Sequence, residues 1–508
     1  MKNLHSFFCC LLFCSATANL ASQDRWQSSL VAIDNTGNIT YTPDAKGNII
    51  PDFSRVGYHH GDKPIPDYPT TITLSPLIAG DCTDLIQHAI DSVSKLAPDE
   101  DGHRGTILLK SGLYKIDGNI KISASGIILK GEGNGMNETR LLSLSKDKKP
   151  LIEIHGKGSI TEVPDSRTSI TDKFVPVGTH TFNVVSAKKY KVGDRIIVFR
   201  PGTRAWIEAI RMDKIVERKG TKQWQPQEYD GHFERQITAI EGNRITIDNP
   251  IVMQMEEQFG GGQIYKYTYD GRISEIGIEN IYFESMYKGE EDENHSWIAI
   301  EFNHAENCWV RNVTSYYFAY ACVSIETGAK NITVRDSRCY EAKSIPTGGR
   351  RYSFNNWGQQ NLFMNCVSTE ARHDYVTGAR TCGPNVFYNC IARKSISDIG
   401  PHQRWAMGTL YDNVDTDGQI NIQDRGQMGS GHGWAGVTQI LWNCKAKMAA
   451  VQTPWASGDN YSIGLQGEKY PGHFKDRPDA TWEGHNQSGL YPTSLYMTQL
   501  KARQKNKP

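Results

Sequence analysis

The sequence has no surplus of charge. Lys and Arg together number 56, as do Asp and Glu, so the formal net charge is zero. Such a chain sets up no long-range field toward nucleic acid or an anionic membrane, and any attraction for a charged ligand has to be local. Long apolar runs are missing too. The apolar run "FFCCLLF" at 7–13 falls far short of the about 20 residues that span a bilayer. No metal-ligand spacing of the H-E-x-x-H kind is present, nor any nucleotide-fold or thiol-nucleophile motif. "GSGHGWAG" (429–436) is rich in glycine but follows no strand-then-helix pattern, which leaves close turns around His432 and Trp434 as its reading.

What is present at the start reads as an address. A short positive beginning, the apolar run and "ATA" at 16–18 make a signal peptide over residues 1–18. Cys14 as a lipid anchor is the lesser alternative, because the bulky Phe13 precedes it. The expectation is an exported protein, periplasmic or extracellular. Eight of the 11 cysteines lie beyond that segment. Cys366, Cys390 and Cys444 share an "NC" context inside apolar strand-like runs, which predicts buried free thiols over a disulfide framework.

The second half repeats. "NCWVRNV" starts at Asn307, "NITVRDS" at Asn331, "NLFMNCV" at Asn361 and "NVFYNCI" at Asn385, with "GTLYDNV" at Gly408 and "QILWNCK" at Gln439. The starts are separated by 24, 30, 24, 23 and 31 residues. One alternating strand motif per period of this length is a solenoid signature, since a single unit cannot bury its own apolar face. Val, Ile, Thr, Asn, Tyr and Gly dominate and helical periodicity is absent. An all-β, right-handed parallel β-helix is therefore expected, with Asn307, Asn331, Asn361 and Asn385 as a ladder at one corner. "DCTDLIQHAIDSV" (81–93) puts Leu85, Ile86, Ala89, Ile90 and Val93 on one helical face and predicts a helix capping the open end. "YKVGDRIIVFR" and "RQITAIEGNRITIDNP" read as antiparallel hairpins. The expected organisation is an N-terminal segment, capping helix and first coils over 19–160, and an inserted β subdomain over 161–263. The main β-helix with the groove follows over 264–466, and an irregular cap over 467–508.

This combination resembles the pectin-lyase-like superfamily of secreted carbohydrate-active proteins. The resemblance is carried by "TDLIQHAIDSV…GTILLKSGLYKI…IILKGEG" and the "NLFMNC…NVFYNC…LWNC" coils, and covers most of residues 70–465. It implies the fold. The superfamily includes lyases, hydrolases, transferases, epimerases and phage tailspikes, so the chemistry has to come from the residues.

Residues at equal offset in successive coils stack about 4.8 Å apart. Arg380 and Arg404 both fall 19 residues after their asparagines, and Asp374 and Asp398 both fall 13 after. His373 and His402 lie beside these columns, so "RHDYVTGAR" and "GPHQRW" decorate one side of the solenoid. Two aligned guanidinium groups repel unless an anion lies between them or Asp374 and Asp398 pair with them. For β-elimination on a uronate, Arg404 and Arg380 suit charge neutralisation, His373 or His402 the base and Tyr375 the acid. Arg350, Arg372, Trp405, Trp434, Asp374, Asp398 and His295 are candidate substrate contacts, with Tyr411 a further candidate stacking platform. The expected function is a lyase, acting as a monomer on an acidic polysaccharide, with chondroitin- or dermatan-type glycosaminoglycans somewhat favoured. Hydrolysis by a stacked Asp374/Asp398 pair is the rival enzyme reading, and a non-catalytic sugar-binding β-helix the third. No cofactor is expected, with calcium between Asp374 and Asp398 as the one possible ion. His59 and His60 in "GYHHGDKPIP" are further candidate substrate contacts, reaching the groove from a loop.

Overall fold

The computed structural model describes residues 25–505, so the expected leader at 1–18 and Cys14 lie outside the described residues. From residue 70 to residue 483 the chain winds into a parallel β-helix with three strand-bearing faces. Face 1 is a 13-stranded sheet that includes Ala305–Arg311, Lys330–Arg335, Leu362–Met364, Cys382–Tyr388 and Ala406–Asp412. Faces 2 and 3 join at a corner into one sheet of 18 strands. Face 2 carries Thr314–Tyr316, Arg338–Tyr340, Val367–Thr369 and Ile391–Arg393. Face 3 carries Pro150–His155, Ile298–Asn303, Ala321–Ile325, Tyr352–Asn356, His373–Thr377 and Asp398–Pro401. Crossovers between parallel strands of one sheet take the right hand.

Alternation along each strand fixes which side chains enter the lumen. On face 3, Ile152, Ile300, Val323, Phe354 and Tyr375 are in register, and all are buried in the continuous core. Aromatic rings inside it stack coil upon coil: Phe354 on Tyr375 at 5.5 Å, Phe363 on Phe387 at 4.8 Å and Phe387 on Tyr411 at 5.3 Å. Cys366, Cys390 and Cys444 are buried free thiols in the same core, as their context predicts.

The corner from face 1 to face 2 turns on single left-handed residues. Asn280, Asn312, Asp336, Asn365, Asn389, Asn413 and Asn443 have φ between 51° and 55°, a conformation asparagine and aspartate tolerate best among non-glycine residues. Their side chains bond along the axis: Asn312 donates to Asn280 at 2.8 Å, Asn389 to Asn365 at 2.8 Å and Asn443 to Asn413 at 2.7 Å. The expected ladder is found at the preceding corner for Asn361 and Asn385, where Asn385 Oδ1 accepts from Asn361 N at 2.9 Å. Asn331 bonds instead to Gly57 O and His60. The longer ladder rests on the second asparagine of each repeat, visible in "NC" and "RNV" but read there only as cysteine context.

The helix Thr83–Ser94 covers the N-terminal end with Ile86, Ala89, Ile90 and Val93 buried, as the periodicity predicts. The insertion is an antiparallel sheet containing Arg195–Arg200, Gly231–Glu241, Arg244–Ile247 and Gln263–Thr268. Its last strand runs past the expected boundary at 263. The C-terminal region is more ordered than an irregular cap. Thr481–Glu483 adds to face 1, and the helix Leu495–Lys505 buries Leu495 and Tyr496 in a cluster with Leu410, Ile440 and Trp442. No helix among the described residues is long and apolar enough to cross a membrane.

Candidate functional site

Outward positions of face 3 form a shelf between two walls. Glu153, Glu301, Ser324, Asn355 and Val376 lie in register across successive coils. His155 stands opposite Asn303, and Glu326 follows Ser324 by two residues on the same side. One wall is built by the loops at 286–297 and 341–351, which join face 2 to face 3. Trp297, Tyr320 and Tyr352 stack along it, with centroids 6.4 and 5.2 Å apart. The insertion makes the other wall, and between it and the turns that leave face 3, at Thr327–Ala329 and Trp357–Gln359, lies a cleft of about 450 Å³. His304, Tyr269, His232, Tyr265, Trp357, Gln359, Asp230 and Arg380 line this cleft.

Two histidine–tyrosine pairs face it. Tyr269 Oη and His304 Nδ1 are 2.7 Å apart, and His232 Nδ1 lies 3.0 Å from Tyr265 Oη. Burial lowers the pKa of His304, with His155 and Arg272 adding to the effect, so the imidazole is neutral at pH 7. Burial raises that of Tyr269 against the opposing pull of Arg272, whose guanidinium sits 3.6 Å from the ring centroid. On the shelf, burial together with Glu326 and Glu153 pushes the Glu301 carboxyl up to about 7, despite a 2.7 Å bond from Asn303 Nδ2. Glu326 is raised by burial and accepts from Ser324. Among the described residues no group of three or more His, Cys, Asp or Glu is arranged to hold a metal ion. Asn355, in register with Ser324 on the shelf, is buried with its Oδ1 unpartnered.

The sequence-predicted residues divide sharply. Arg380 and Arg404 do come together on neighbouring coils, with Arg380 N donating to Arg404 O at 2.8 Å. Arg380 is exposed and lines the cleft, held by Glu228 O at 2.9 Å. Arg404 is spent on Ser430, at 2.6 Å to Oγ and 3.1 Å to the carbonyl, and on Gln403. Tyr375 faces the lumen, completely buried, and its hydroxyl donates to Cys366 O and Ile391 O; it cannot reach a substrate. Tyr411 is likewise in the core.

Trp405 and Trp434 are not platforms. Both are buried in the second core beneath the insertion, where Trp405 meets Trp206 edge-on at 5.0 Å and Trp434 Nε1 donates to Ile210 O. Asp374 is buried among Ser368 and Ser395, its carboxyl raised by burial to about 6. Asp398 pairs with Arg425, which outweighs burial and lowers its pKa. Each carboxylate thus has its own partners, and neither is open to calcium or to a role as hydrolytic nucleophile. Arg350 pairs with Glu293, while Arg372 contacts Gly348 O and lies 3.4 Å from Tyr352 Oη. Buried His295 pins the 286–297 loop through Ser285 and Lys343 O at 2.8 and 2.7 Å. His59 and His60 lie apart from the cleft, against Glu275 and Asn331.

Buried His373 and His402 form a column with half-buried His432, the ring centroids 4.6 and 5.1 Å apart. His373 Nδ1 bonds Asp398 O at 2.7 Å, and His402 Nε2 lies 3.1 Å from Tyr352 Oη. Burial and the neighbouring charged arginines and histidines lower all three pKa values, to about 4 for His373 and about 3 for His432, with His402 lower still. The unfolded chain binds protons at these sites near pH 6.5 and the folded chain does not, so stability is complete above that pH and is lost as pH falls below it. Urea melts between pH 7 and 4.5 should show a midpoint that declines with acidity; replacing His402 by glutamine should flatten that decline, and an unchanged slope would remove the column from the account.

Sequence reasoning missed Tyr269, His304, His232, Tyr265, Trp357 and the Glu301/Glu326 pair. A signal existed for the last two, in the polar alternation of "IAIEFN" and "VSIET". None existed for the cleft, whose residues come from both sides of the insertion.

No protein-family model matches the chain, and no curated protein matches it. Solved structures with a similar course exist at low identity. An alginate lyase from Paenibacillus sp. str. FPU-7 is 10% identical, with 82% of this chain and 99% of that one covered and a TM-score of 0.40. ORF18 of Geobacillus virus E2 is 13% identical at TM-score 0.42, covering 82% of this chain and 60% of that one. A tailspike protein of the E. coli bacteriophage HK620, in complex with a pentasaccharide, is 10% identical at TM-score 0.41, with 87% of this chain and 61% of the tailspike covered. This chain therefore spans well under the full length of the two viral proteins. The fold implied by the pectin-lyase-like resemblance, a parallel β-helix, is the one built here.

Proposed function

We propose that the protein is a carbohydrate-active enzyme that cleaves a uronate-bearing polysaccharide by β-elimination in the cleft between the insertion and face 3. The observation that carries this reading is the Tyr269–His304 pair, a neutral imidazole 2.7 Å from a protonated phenol, with Arg380 lining the same cleft. The reaction removes the proton at C5, breaks the C4–O bond, forms the C4=C5 double bond and returns a proton to the leaving oxygen. In the tautomer with its proton on Nδ1, His304 keeps the Nε2 lone pair to take the C5 proton, and Tyr269 donates to the leaving oxygen. The Nδ1–H bond and the Arg272 guanidinium over the ring then stabilise the phenolate. Arg380 neutralises the uronate carboxylate, which makes C5 acidic, and Trp357 offers an indole surface for the sugar. With Glu301 raised to about 7 and so only partly ionised at neutral pH, the shelf repels the polymer less than its three glutamates suggest.

Hydrolysis is the second reading, favoured by Glu301 itself: a carboxyl raised to about 7 beside Glu326 on the neighbouring coil is an acid paired with a carboxylate. One assay separates the two. The protein is incubated with chondroitin, dermatan, pectin and alginate, following near-ultraviolet absorbance and reducing ends together. Elimination raises both; reducing ends alone would overturn the lyase assignment in favour of Glu301 and Glu326, and neither signal on any uronate polymer would remove both. The lyase should lose activity as pH falls toward the lowered His304 pKa and again at alkaline pH beyond the ordinary tyrosine range, with a plateau between. A profile whose alkaline limb falls near 7 would point to Glu301 as the acid instead.

A further inference from the structure

We infer that the outer surface of face 2 carries a second, non-catalytic binding site for the pyranose rings of the polysaccharide, built from Tyr287, Tyr316, Tyr317 and Tyr340; the inference rests on the polysaccharide reading above. Tyr316 and Tyr340 are in register on adjacent coils, with ring centroids 5.0 Å apart. Tyr317 lies 5.3 Å from Tyr316 and 4.9 Å from Tyr287, and buried Tyr282 supports Tyr316 from below at 5.5 Å and 25°. The four outer tyrosines are half-buried. Among the described residues none of their hydroxyls is hydrogen-bonded to a protein group, whereas the hydroxyls of buried Tyr114, Tyr190 and Tyr375 are all bonded to carbonyls.

The winding gives no reason for this cluster. The corresponding outward positions of later coils on face 2 are Thr369 and Arg393, and those beside them Val367 and Ile391. An aromatic body with an unspent hydroxyl suits a sugar ring, whose C–H face stacks and whose rim accepts and donates hydrogen bonds. Of the charges around the patch, Arg140 pairs with Glu284 and Lys343 with Glu290 and Glu341, while exposed Arg338 beside Tyr340 has no ion pair among the described residues. Recognition here is carried by the ring faces, with Arg338 adding an attraction for an anionic polymer that salt screens. The patch is continuous with the groove. The turn that carries Tyr316 and Tyr317 leads to Tyr320 in the aromatic wall, and the loop that begins at Tyr287 ends at Trp297. A strand leaving the cleft over that wall meets the tyrosines next.

The test is gel retardation of the full chain by polygalacturonate, chondroitin sulfate and a neutral β-glucan, with Tyr316→Ala/Tyr340→Ala and, on a different segment, Tyr287→Ala/Tyr317→Ala. Thermal melts confirm that each variant is folded. Retardation of the wild type should persist between about 0.05 and 0.5 M salt. Each double variant should bind roughly tenfold more weakly, as the loss of stacking energy predicts, with KM raised on polymer and kcat on short oligosaccharides unchanged. Equal retardation of wild type and both variants, or no retardation by any of the polymers, would overturn the site. Tyrosine-dependent retardation without cleavage would keep this site and discard the catalytic reading. Tyr269→Phe, by contrast, should lose cleavage and keep retardation.

Discussion

Replacing Tyr269 by phenylalanine is expected to lower kcat by roughly 10²–10⁴-fold, the usual worth of a positioned acid or base. The phenyl ring keeps its place under Arg272, and the one hydrogen bond lost is worth about 1 kcal/mol of stability, so the melting curve should barely move. His304→Gln should cost a similar factor. The double variant should be little worse than either single one, because the two groups act as a unit and their effects do not add. Activity is read as absorbance of the unsaturated product under single-turnover conditions. A Tyr269→Phe enzyme within a factor of three of wild type would end the proposed mechanism, whatever His304 does. If the loss appears in KM and not in kcat, Tyr269 positions the substrate without supplying a proton.

The second large effect concerns the joint between the insertion and the β-helix. Glu234, on the insertion strand Gly231–Glu241, is 2% exposed and accepts two 2.8 Å bonds from Arg272 and a third contact at 2.8 Å from Lys330 of face 1. Tyr267 donates to it as well, and Gln360 bonds its backbone carbonyl. Burial alone would raise its pKa; Lys330 and Arg272 outweigh it and hold the carboxyl far below the usual range. Glu234→Gln removes the nearer charge and leaves Arg272 and Lys330 sharing Glu306 alone, at 3.4 and 3.7 Å, a change that costs about 3 kcal/mol, the lower end for a broken buried pair. Urea melts followed by tryptophan fluorescence would report it, since Trp206 and Trp224 sit in the core beneath the insertion. Adding Lys330→Met to Glu234→Gln should restore part of the loss. A Gln variant as stable as wild type would show that the ion cluster does not hold the insertion. The sign with pH follows from the lowered pKa: the contribution is present above the ordinary glutamate range and is lost as pH falls below it.

Much of the scaffold was legible because a β-helix repeats its instructions. The spacing of the asparagines gave the coil, and counting from Asn361 and Asn385 put Arg380 beside Arg404, where their backbones bond. Phase along the chain does not, however, say which way a side chain points where a strand meets a corner. Tyr375 sits two residues from His373, yet it is in register with Phe354 and therefore enters the lumen. Nor does a repeat reveal what another segment covers. Trp405 and Trp434 lie on the outside of their coils and still end in a core, because the insertion folds down onto them. The cleft was illegible for the same reason: Tyr269 and His304 are 35 residues apart, and His232 and Tyr265 arrive on the insertion's own hairpins, with no periodicity linking them to the coils.

Every rung is bonded to the one on either side, so a residue gained within a strand would throw the whole column out of step. Length can change only where the chain rounds an edge. Here the long additions flank a single face: the loops at 286–297 and 341–351 on one side, and the insertion on the other. The trough can thus deepen, narrow or change its lining by growth at its two banks while the winding beneath stays untouched, which makes substrate choice and structural integrity separately adjustable in this molecule.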